Sequence, residues 1–182
     1  MGEVRLEEVR ASFAEQIRAF AEAGADIICV ETMTDLSEAV AAVEAAREVA
    51  PNTPVIATMT FQRTPRGFFT MMGTSIARAA AGLEAAGAHV VGSNCGQGTG
   101  EMIAIAAELG RQTGLPLAIR PNAGLPEQRE GELHFPESPD ALAAGAVELV
   151  GRGVRIVGGC CGTSPEHVRA IRKAVDAHRR KV

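Results

Sequence analysis

The feature that most constrains the fold is a regular alternation of two kinds of segment along the 182-residue chain. One kind is rich in Ala, Glu and Arg with apolar residues at helical spacing, as in residues 5–23, where Val9, Phe13, Ile17 and Phe20 form one face. The other is a short Val/Ile-rich run without polar alternation, which is typical of a strand buried on both faces. Strands that alternate with helices predict a parallel sheet with right-handed crossovers.

The alternation predicts one α/β domain with six helices and five parallel strands. The helices are expected at residues 5–23, 36–49, 75–86, 100–113, 139–152 and, after Ser164 as N-cap, to about residue 177. The strands are expected at residues 25–31, 53–61, 88–94, 115–121 and 154–159. Five strands suffice for an open sheet, whereas a closed barrel of eight strand–helix units typically needs about 250 residues.

Composition and charge exclude several classes of protein. The 22 acidic and 18 basic residues give a net charge of −4, which argues against a nucleic-acid-binding domain because such a domain needs a basic patch. No apolar run reaches the roughly 20 residues of a transmembrane helix. The N-terminus, MGEVRLEEVR, lacks the apolar segment of a secretory signal. We therefore expect a cytoplasmic protein that binds neither nucleic acid nor membranes.

Three of the four cysteines follow predicted strands: Cys95 in GSNCG, and Cys160 with Cys161 in GGCCGT. Because the carboxyl ends of parallel strands meet at one edge, we expect these three thiols to face one another. Three thiolates suit zinc and leave its fourth position open for a substrate. The alternative, which spacing alone leaves open, is that they are small buried core residues. Cys29, inside an apolar strand, is interpreted as such a core residue.

The motifs GSNCG, PNAGLP and GGCCGTSPEH, in this order, closely resemble the zinc-dependent homocysteine S-methyltransferase family. That family includes the homocysteine domain of cobalamin-dependent methionine synthase and betaine–homocysteine methyltransferase. The stretch ADIICVETMTDLSEA is similar to the family's fourth strand and the following helix. The resemblance extends from about residue 5 to residue 175. It implies a fold of the (β/α)8 TIM-barrel type, of which this chain has the last five strand–helix units.

The resemblance also implies a reaction and a set of site residues. The family transfers a methyl group to the thiol of homocysteine and so produces methionine, with Zn2+ held by three cysteines that match Cys95, Cys160 and Cys161. Glu31 matches the acidic residue that contacts the homocysteine amino group, and Asn122 falls where the family lines the homocysteine pocket. The expected methyl donor is a methyl-corrinoid (cobalamin) or a methyltetrahydrofolate-derived group. From the residues alone, Glu31 could instead be the structural partner of a loop amide, and Asn122 part of a turn.

We expect residues 1–182 to form a single homocysteine-binding-like domain, a partial barrel that lacks the family's first three units. Its first and last strands would be exposed sheet edges, which favour pairing with other chains. We therefore expect self-association, a complementary barrel half from another chain, or a corrinoid protein as partner. One alternative is a non-catalytic zinc-binding homologue or half-barrel subunit that needs a partner chain. Another is a phosphate-binding barrel fragment, in which the glycines of GGCCGT cradle phosphate.

Two longer stretches, residues 61–74 and 122–138, follow strands and are expected to be loops. The first contains GFFTMMG, and we expect its Phe and Met side chains to pack beneath the loop or against the missing barrel units rather than to cover a corrinoid. His167 follows the cysteine pair closely. We interpret it as a surface or packing residue rather than as a hydrogen-bond partner of a zinc-bound sulfur.

Overall fold

A computed structural model describes residues 4–129 and 131–180 of the chain, and its centre is a parallel β-sheet. Within these residues the strands are β1 Ile28–Met33, β2 Val55–Met59, β3 Gln62–Thr64, β4 Gly67–Phe69, β5 Val90–Asn94, β6 Leu117–Arg120, β7 Glu127–Arg129, β8 Glu132–His134 and β9 Ile156–Val157. The central sheet has five strands in the order β1-β2-β5-β6-β9, and all neighbouring pairs are parallel. The prediction of five parallel strands is confirmed.

The predicted six helices are present as well. They are α1 Leu6–Glu22, α2 Leu36–Val49, α3 Ile76–Ala85, α4 Thr99–Gln112, α5 Pro139–Gly151 and α6 Pro165–Arg179. Over the described part of the chain, no helix combines the length and the apolar character needed to cross a membrane.

Side-chain caps determine where four of these helices begin. The Asp35 carboxylate accepts hydrogen bonds from two backbone N–H groups in the first turn of α2. Ser75, Ser138 and Ser164 cap α3, α5 and α6 in the same way. Each cap satisfies N–H groups that have no partner inside the helix. The prediction of Ser164 as an N-cap is confirmed.

One face of the sheet packs against the helices and forms the core. Val30, Ala57, Val91 and Leu117 lie in register on neighbouring strands, and all four belong to one buried apolar cluster. Helix α2 adds mostly alanines to this cluster, whereas α3 and α4 add larger Ile, Leu and Met side chains. The core therefore lies between this face of the sheet and the helices that connect its strands.

The opposite face of the sheet is partly polar, and it is exposed along the β1 edge. Along β1 the residues alternate, since Ile28 and Val30 are buried while Cys29 and Glu31 are exposed. The interpretation of Cys29 as a core residue is therefore wrong. The continuous apolar run suggested burial on both faces, but only one face of β1 is covered in this chain.

The two edges of the sheet are β1 and β9. A groove of about 460 Å³ runs beside β1, and its lining includes Phe20 and Ile27, which are half exposed. Half-exposed apolar side chains beside an edge strand are features that a partner would cover. Self-association or a complementary half-barrel remains a prediction.

The two stretches predicted as loops each contain a short antiparallel hairpin. Strands β3 and β4 pair within residues 61–74, and β7 pairs with β8 within residues 122–138. Each strand has only three residues, which is too few to show an alternating pattern in the sequence.

The Phe and Met side chains of the first hairpin segment differ in burial. Phe68 is buried, which confirms the packing interpretation for this side chain. Met71 and Met72 are 75% and 49% exposed, so these two side chains do not pack beneath the loop, and their packing against the missing barrel units stays a prediction. They follow β4 in a turn that closes through a hydrogen bond from Gly73 N to Thr70 O.

Gly92, in the middle of β5, gives a test of how tightly the sheet is packed. A Cβ atom at this position would lie 1.7 Å from Ala118 O on β6. We expect Gly92→Ala to lower the free energy of unfolding by about 1–3 kcal/mol, the usual cost of overpacking. Urea unfolding followed by far-UV circular dichroism measures this effect. The control is Gly110→Ala at an exposed position of helix α4, which should gain up to about 1 kcal/mol. Equal urea midpoints for Gly92→Ala and wild type would contradict the expectation.

Candidate functional site

Three cysteines from two loops meet at the carboxyl edge of the sheet. Cys95 follows β5, and Cys160 and Cys161 follow β9. Their Sγ atoms all lie within 4.8 Å of one another, and those of Cys95 and Cys161 are 3.7 Å apart. The structure thus brings together the three residues that the sequence proposes as metal ligands.

Backbone hydrogen bonds to the loop after β6 hold these cysteines in place. Cys95 N donates to Arg120 O at 3.2 Å, and Cys160 N donates to Pro121 O at 2.8 Å. Cys95 has a positive φ of 61°, and Gly162, just after the pair, has a φ of 78°. These left-handed residues turn the chain away from strand geometry, so that adjacent side chains can approach the same point.

The crowding of three thiols has an electrostatic cost. The hydrogen bond with Cys95, together with partial burial and the charge that neighbouring thiolates would add, raises the pKa of Cys161 to about 11. A cation among the sulfurs would offset this repulsion, because metal coordination deprotonates thiols. Three sulfur donors within 4.8 Å fit zinc, which favours tetrahedral sites with sulfur ligands.

Asn94, which the sequence analysis did not single out, lies beside this cluster. Its side chain is almost fully buried, at 1% exposure. Asn94 Nδ2 lies 3.7 Å from Cys160 Sγ, and the same amide forms hydrogen bonds with Thr32 on β1 and Thr58 on β2. The only sequence signal was its position immediately before Cys95 in GSNCG.

Glu31 lies at the end of β1, on the open face of the sheet. Its Oε2 atom is 2.6 Å from Nη1 of Arg120, and its side chain is 47% exposed. The Arg120 guanidinium also lies 3.4 Å from Cys29 Sγ and 3.5 Å from Thr58 Oγ1. Arg120 was missed because it meets Glu31 across the sheet, far from it in sequence. The Glu31 carboxylate and the Arg120 guanidinium therefore form an ion pair on the face of the sheet opposite the apolar core.

Asn122 is buried and packs under the cysteine pair. Its Oδ1 atom accepts a hydrogen bond from Cys161 N at 3.1 Å, and its own N–H donates to Gln97 O at 3.0 Å. Within residues 4–129 and 131–180, Asn122 Nδ2 makes no hydrogen bond to the protein. Asn122 therefore supports the turn that carries Cys161, and its contact with substrate stays a prediction.

His167 helps to begin α6. Its Nδ1 atom pairs with the backbone and hydroxyl of Ser164, and Nε2 lies 3.0 Å from Glu137 O. These contacts confirm the interpretation of His167 as a packing residue.

A family model described as homocysteine S-methyltransferase matches residues 1–175. The chain belongs to the homocysteine S-methyltransferase family. Methionine synthases from Mycobacterium leprae (strain TN) and Mycobacterium tuberculosis (strain ATCC 25618 / H37Rv) are 32% and 33% identical to it, over 96% of this chain. The chain spans 15% of the length of each of these relatives.

Solved structures agree with the fold. The homocysteine methyltransferase MmuM from Escherichia coli, in its apo form, superimposes with a TM-score of 0.76 at 24% identity, covering 94% of this chain and 58% of that chain. Its metallated form gives the same TM-score and identity and is covered over 53% of its length. The predicted TIM-barrel type, with five parallel strands, is confirmed.

The raised pKa of Cys161 can be tested in metal-free protein. Only the thiolate reacts with iodoacetamide, so alkylation of Cys161 should rise with pH toward a midpoint near 11. Cys95→Ala removes the main cause of the shift. The midpoint should then move down toward the ordinary thiol value of about 8.5, so that Cys161 reacts faster at about pH 9. Mass spectrometry of the labelled Cys161 peptide measures the rate.

The control for this experiment is Cys29→Ala, because Cys29 lies outside the trio of neighbouring sulfurs. It should leave the pH profile of Cys161 unchanged. The same profile in Cys95→Ala and wild type would show that the thiol contact does not raise the pKa.

Proposed function

We propose that this chain is the homocysteine-binding part of a zinc-dependent methyltransferase that converts homocysteine to methionine. The observation that carries the proposal is the convergence of the Cys95, Cys160 and Cys161 sulfurs within 4.8 Å. Membership of the homocysteine S-methyltransferase family supports the substrate and the reaction.

The three cysteines would hold the zinc ion as thiolates, with its remaining position available to the substrate sulfur. Zinc, when bound, would supply the Lewis acidity that lowers the pKa of the substrate thiol and keeps its sulfur nucleophilic at neutral pH. Cys161 is exposed, so this side of the cluster is open to an incoming thiol. Asn122 would hold the backbone of Cys161 through its Oδ1 atom.

The Glu31–Arg120 pair suits the amino-acid end of homocysteine, which has an ammonium group and a carboxylate. Glu31 Oε2 pairs with Arg120, while Oε1 makes no hydrogen bond within the described part of the chain. We propose that Oε1 accepts a hydrogen bond from the substrate ammonium and that the Arg120 guanidinium attracts the substrate carboxylate. Asn122 Nδ2 would add a neutral donor at the same edge.

The proposed reaction is a direct displacement. The homocysteine sulfur forms a bond to the methyl carbon, the bond from that carbon to the donor breaks, and the donor leaves with the bonding electrons. The proton of the substrate thiol passes to solvent. We propose a methyl-corrinoid or a methyltetrahydrofolate-derived donor on a separate domain or protein, because the relatives named methionine synthase are much longer than this chain.

We further propose that residues 1–182 form one homocysteine-binding-like domain that functions with a complementary barrel half or by self-association. The half-exposed Phe20 and Ile27 along the β1 groove support a partner at this edge. The second candidate function is a non-catalytic zinc-binding subunit, and the same open edge favours it. Homocysteine binding by the isolated zinc-loaded chain distinguishes the two.

Zinc stoichiometry tests the metal centre. We expect about one zinc ion per chain in the wild type by elemental analysis. Cys160→Ser should lose the metal, because a hydroxyl is a poor replacement for a thiolate ligand. Cys29→Ser removes a thiol outside the cluster and should keep the metal. A folded wild-type protein without zinc, or equal zinc content in Cys160→Ser, would contradict the proposal.

Glu31→Gln tests substrate recognition. Loss of a charged hydrogen bond costs about 1.5–3 kcal/mol, so the Kd for homocysteine should rise about tenfold or more. Calorimetric titration of the zinc-loaded chain with homocysteine measures this change. Glu148→Gln is the matched control, since Glu148 pairs with Arg152 at the C-terminal end of α5, away from the cysteines. Equal Kd values for Glu31→Gln and wild type would contradict the role of Glu31.

A further inference from the structure

We propose that Asn94 is a positioning residue that fixes the direction of the Cys160 sulfur and ties this metal ligand to the end of β1. The inference rests on the proposed metal centre, because it concerns how one of its three ligands is held. Asn94 would not touch the metal or the substrate. It would act through the groups that it binds.

The side-chain amide of Asn94 uses its full hydrogen-bonding capacity. Oδ1 accepts from Thr32 N at 2.8 Å and from Thr58 Oγ1 at 2.6 Å. Nδ2 donates to Thr32 Oγ1 at 2.7 Å and to Cys160 Sγ at 3.7 Å. An amide has two acceptor sites and two donor hydrogens, so all four are engaged.

These partners leave the amide one orientation. A backbone N–H can only donate, so the atom that faces Thr32 N must be Oδ1. Nδ2 then necessarily faces Cys160 Sγ with an N–H group. A donor suits a thiolate sulfur, whereas an acceptor at this place would repel it. Because Asn94 is 1% exposed, water cannot readily substitute for a lost partner.

The other end of the network is a strained residue. Thr32 has a φ of 62°, a left-handed conformation that is a genuine outlier for a β-branched side chain. Two of the hydrogen bonds of Asn94 hold it, one to its backbone and one to its hydroxyl. Thr32 directly follows Glu31, whose carboxylate forms the ion pair with Arg120. Asn94 therefore connects the irregular end of β1, next to Glu31, to the sulfur of Cys160.

Asn94→Asp tests this role with little change in size. An aspartate keeps both acceptor positions but replaces Nδ2 with a carboxylate oxygen facing Cys160 Sγ. We expect zinc affinity to fall about 10–100-fold, as is typical when a hydrogen-bond partner of a metal ligand is lost. Competition with a chromophoric chelator measures the affinity of the full chain. Thr60→Val is the control, because the Thr60 hydroxyl donates to the backbone oxygen of Asn94 and not to its side-chain amide. It should retain wild-type affinity.

Cobalt in place of zinc gives a readout of ligand geometry that a general loss of stability would not produce. Thiolate-to-cobalt charge-transfer absorption reports how many sulfurs bind, and the chain has no Trp or Tyr to obscure the near ultraviolet. The wild type should show three thiolates. Asn94→Asp should show a weaker band, as expected when Cys160 is displaced and Cys95 and Cys161 remain.

A third variant keeps the test decisive if Asn94→Asp does not fold. Thr58→Val removes one hydrogen bond to Oδ1 and leaves the amide itself intact, so it should weaken zinc binding several-fold, less than Asn94→Asp. Wild-type zinc affinity and a wild-type cobalt spectrum in folded Asn94→Asp would overturn the role of Asn94 and leave the proposed metal centre standing. If Asn94→Asp does not fold, the same results in Thr58→Val would do so. A wild-type chain that binds neither metal would overturn the proposed metal centre, and this inference with it.

Discussion

The chemistry of this protein depends on the parallel direction of its five central strands. Parallel strands end at a common edge, so loops that are distant in sequence deliver their side chains to one place. Because the strands follow one another in chain order and the helices pack on one face, the other face remains free for polar groups. Cys95, Cys160 and Cys161 lie at the edge, and Glu31 with Arg120 lies on the free face.

Buried polar groups connect these two regions. Thr58 and Asn94 are both almost fully buried, and each is hydrogen-bonded to a neighbour on another strand. In a low-dielectric setting such a network is favourable only when every member has its partner. This requirement gives the loops at the edge a defined geometry, although they contain few regular hydrogen bonds of their own.

The sequence predicted the architecture well because the features that determine it are local. The apolar run at Val55–Met59 and the Ser164 cap before α6 can each be identified within a few residues. The three cysteines were also identifiable, since each follows a predicted strand. Arg120 and Asn94 were not, because their roles arise from contacts across strands, such as the hydrogen bond between Asn94 and Thr32, which are 62 positions apart in the sequence. The exposure of Cys29 was missed because an apolar strand does not reveal which of its faces is covered.

The separation of the sulfur ligands along the chain has a consequence for the unfolding of the protein. Cys95 and Cys161 are 66 residues apart, and the intervening segment contains α4, β6 and α5. A metal ion held by both would act as a reversible cross-link that closes this long segment. Its stabilising effect would grow with the logarithm of free metal concentration above the dissociation constant. The supply of metal would then determine how long the segment between Cys95 and Cys161 resists proteolysis. It would also determine what fraction of the protein can bind a thiol.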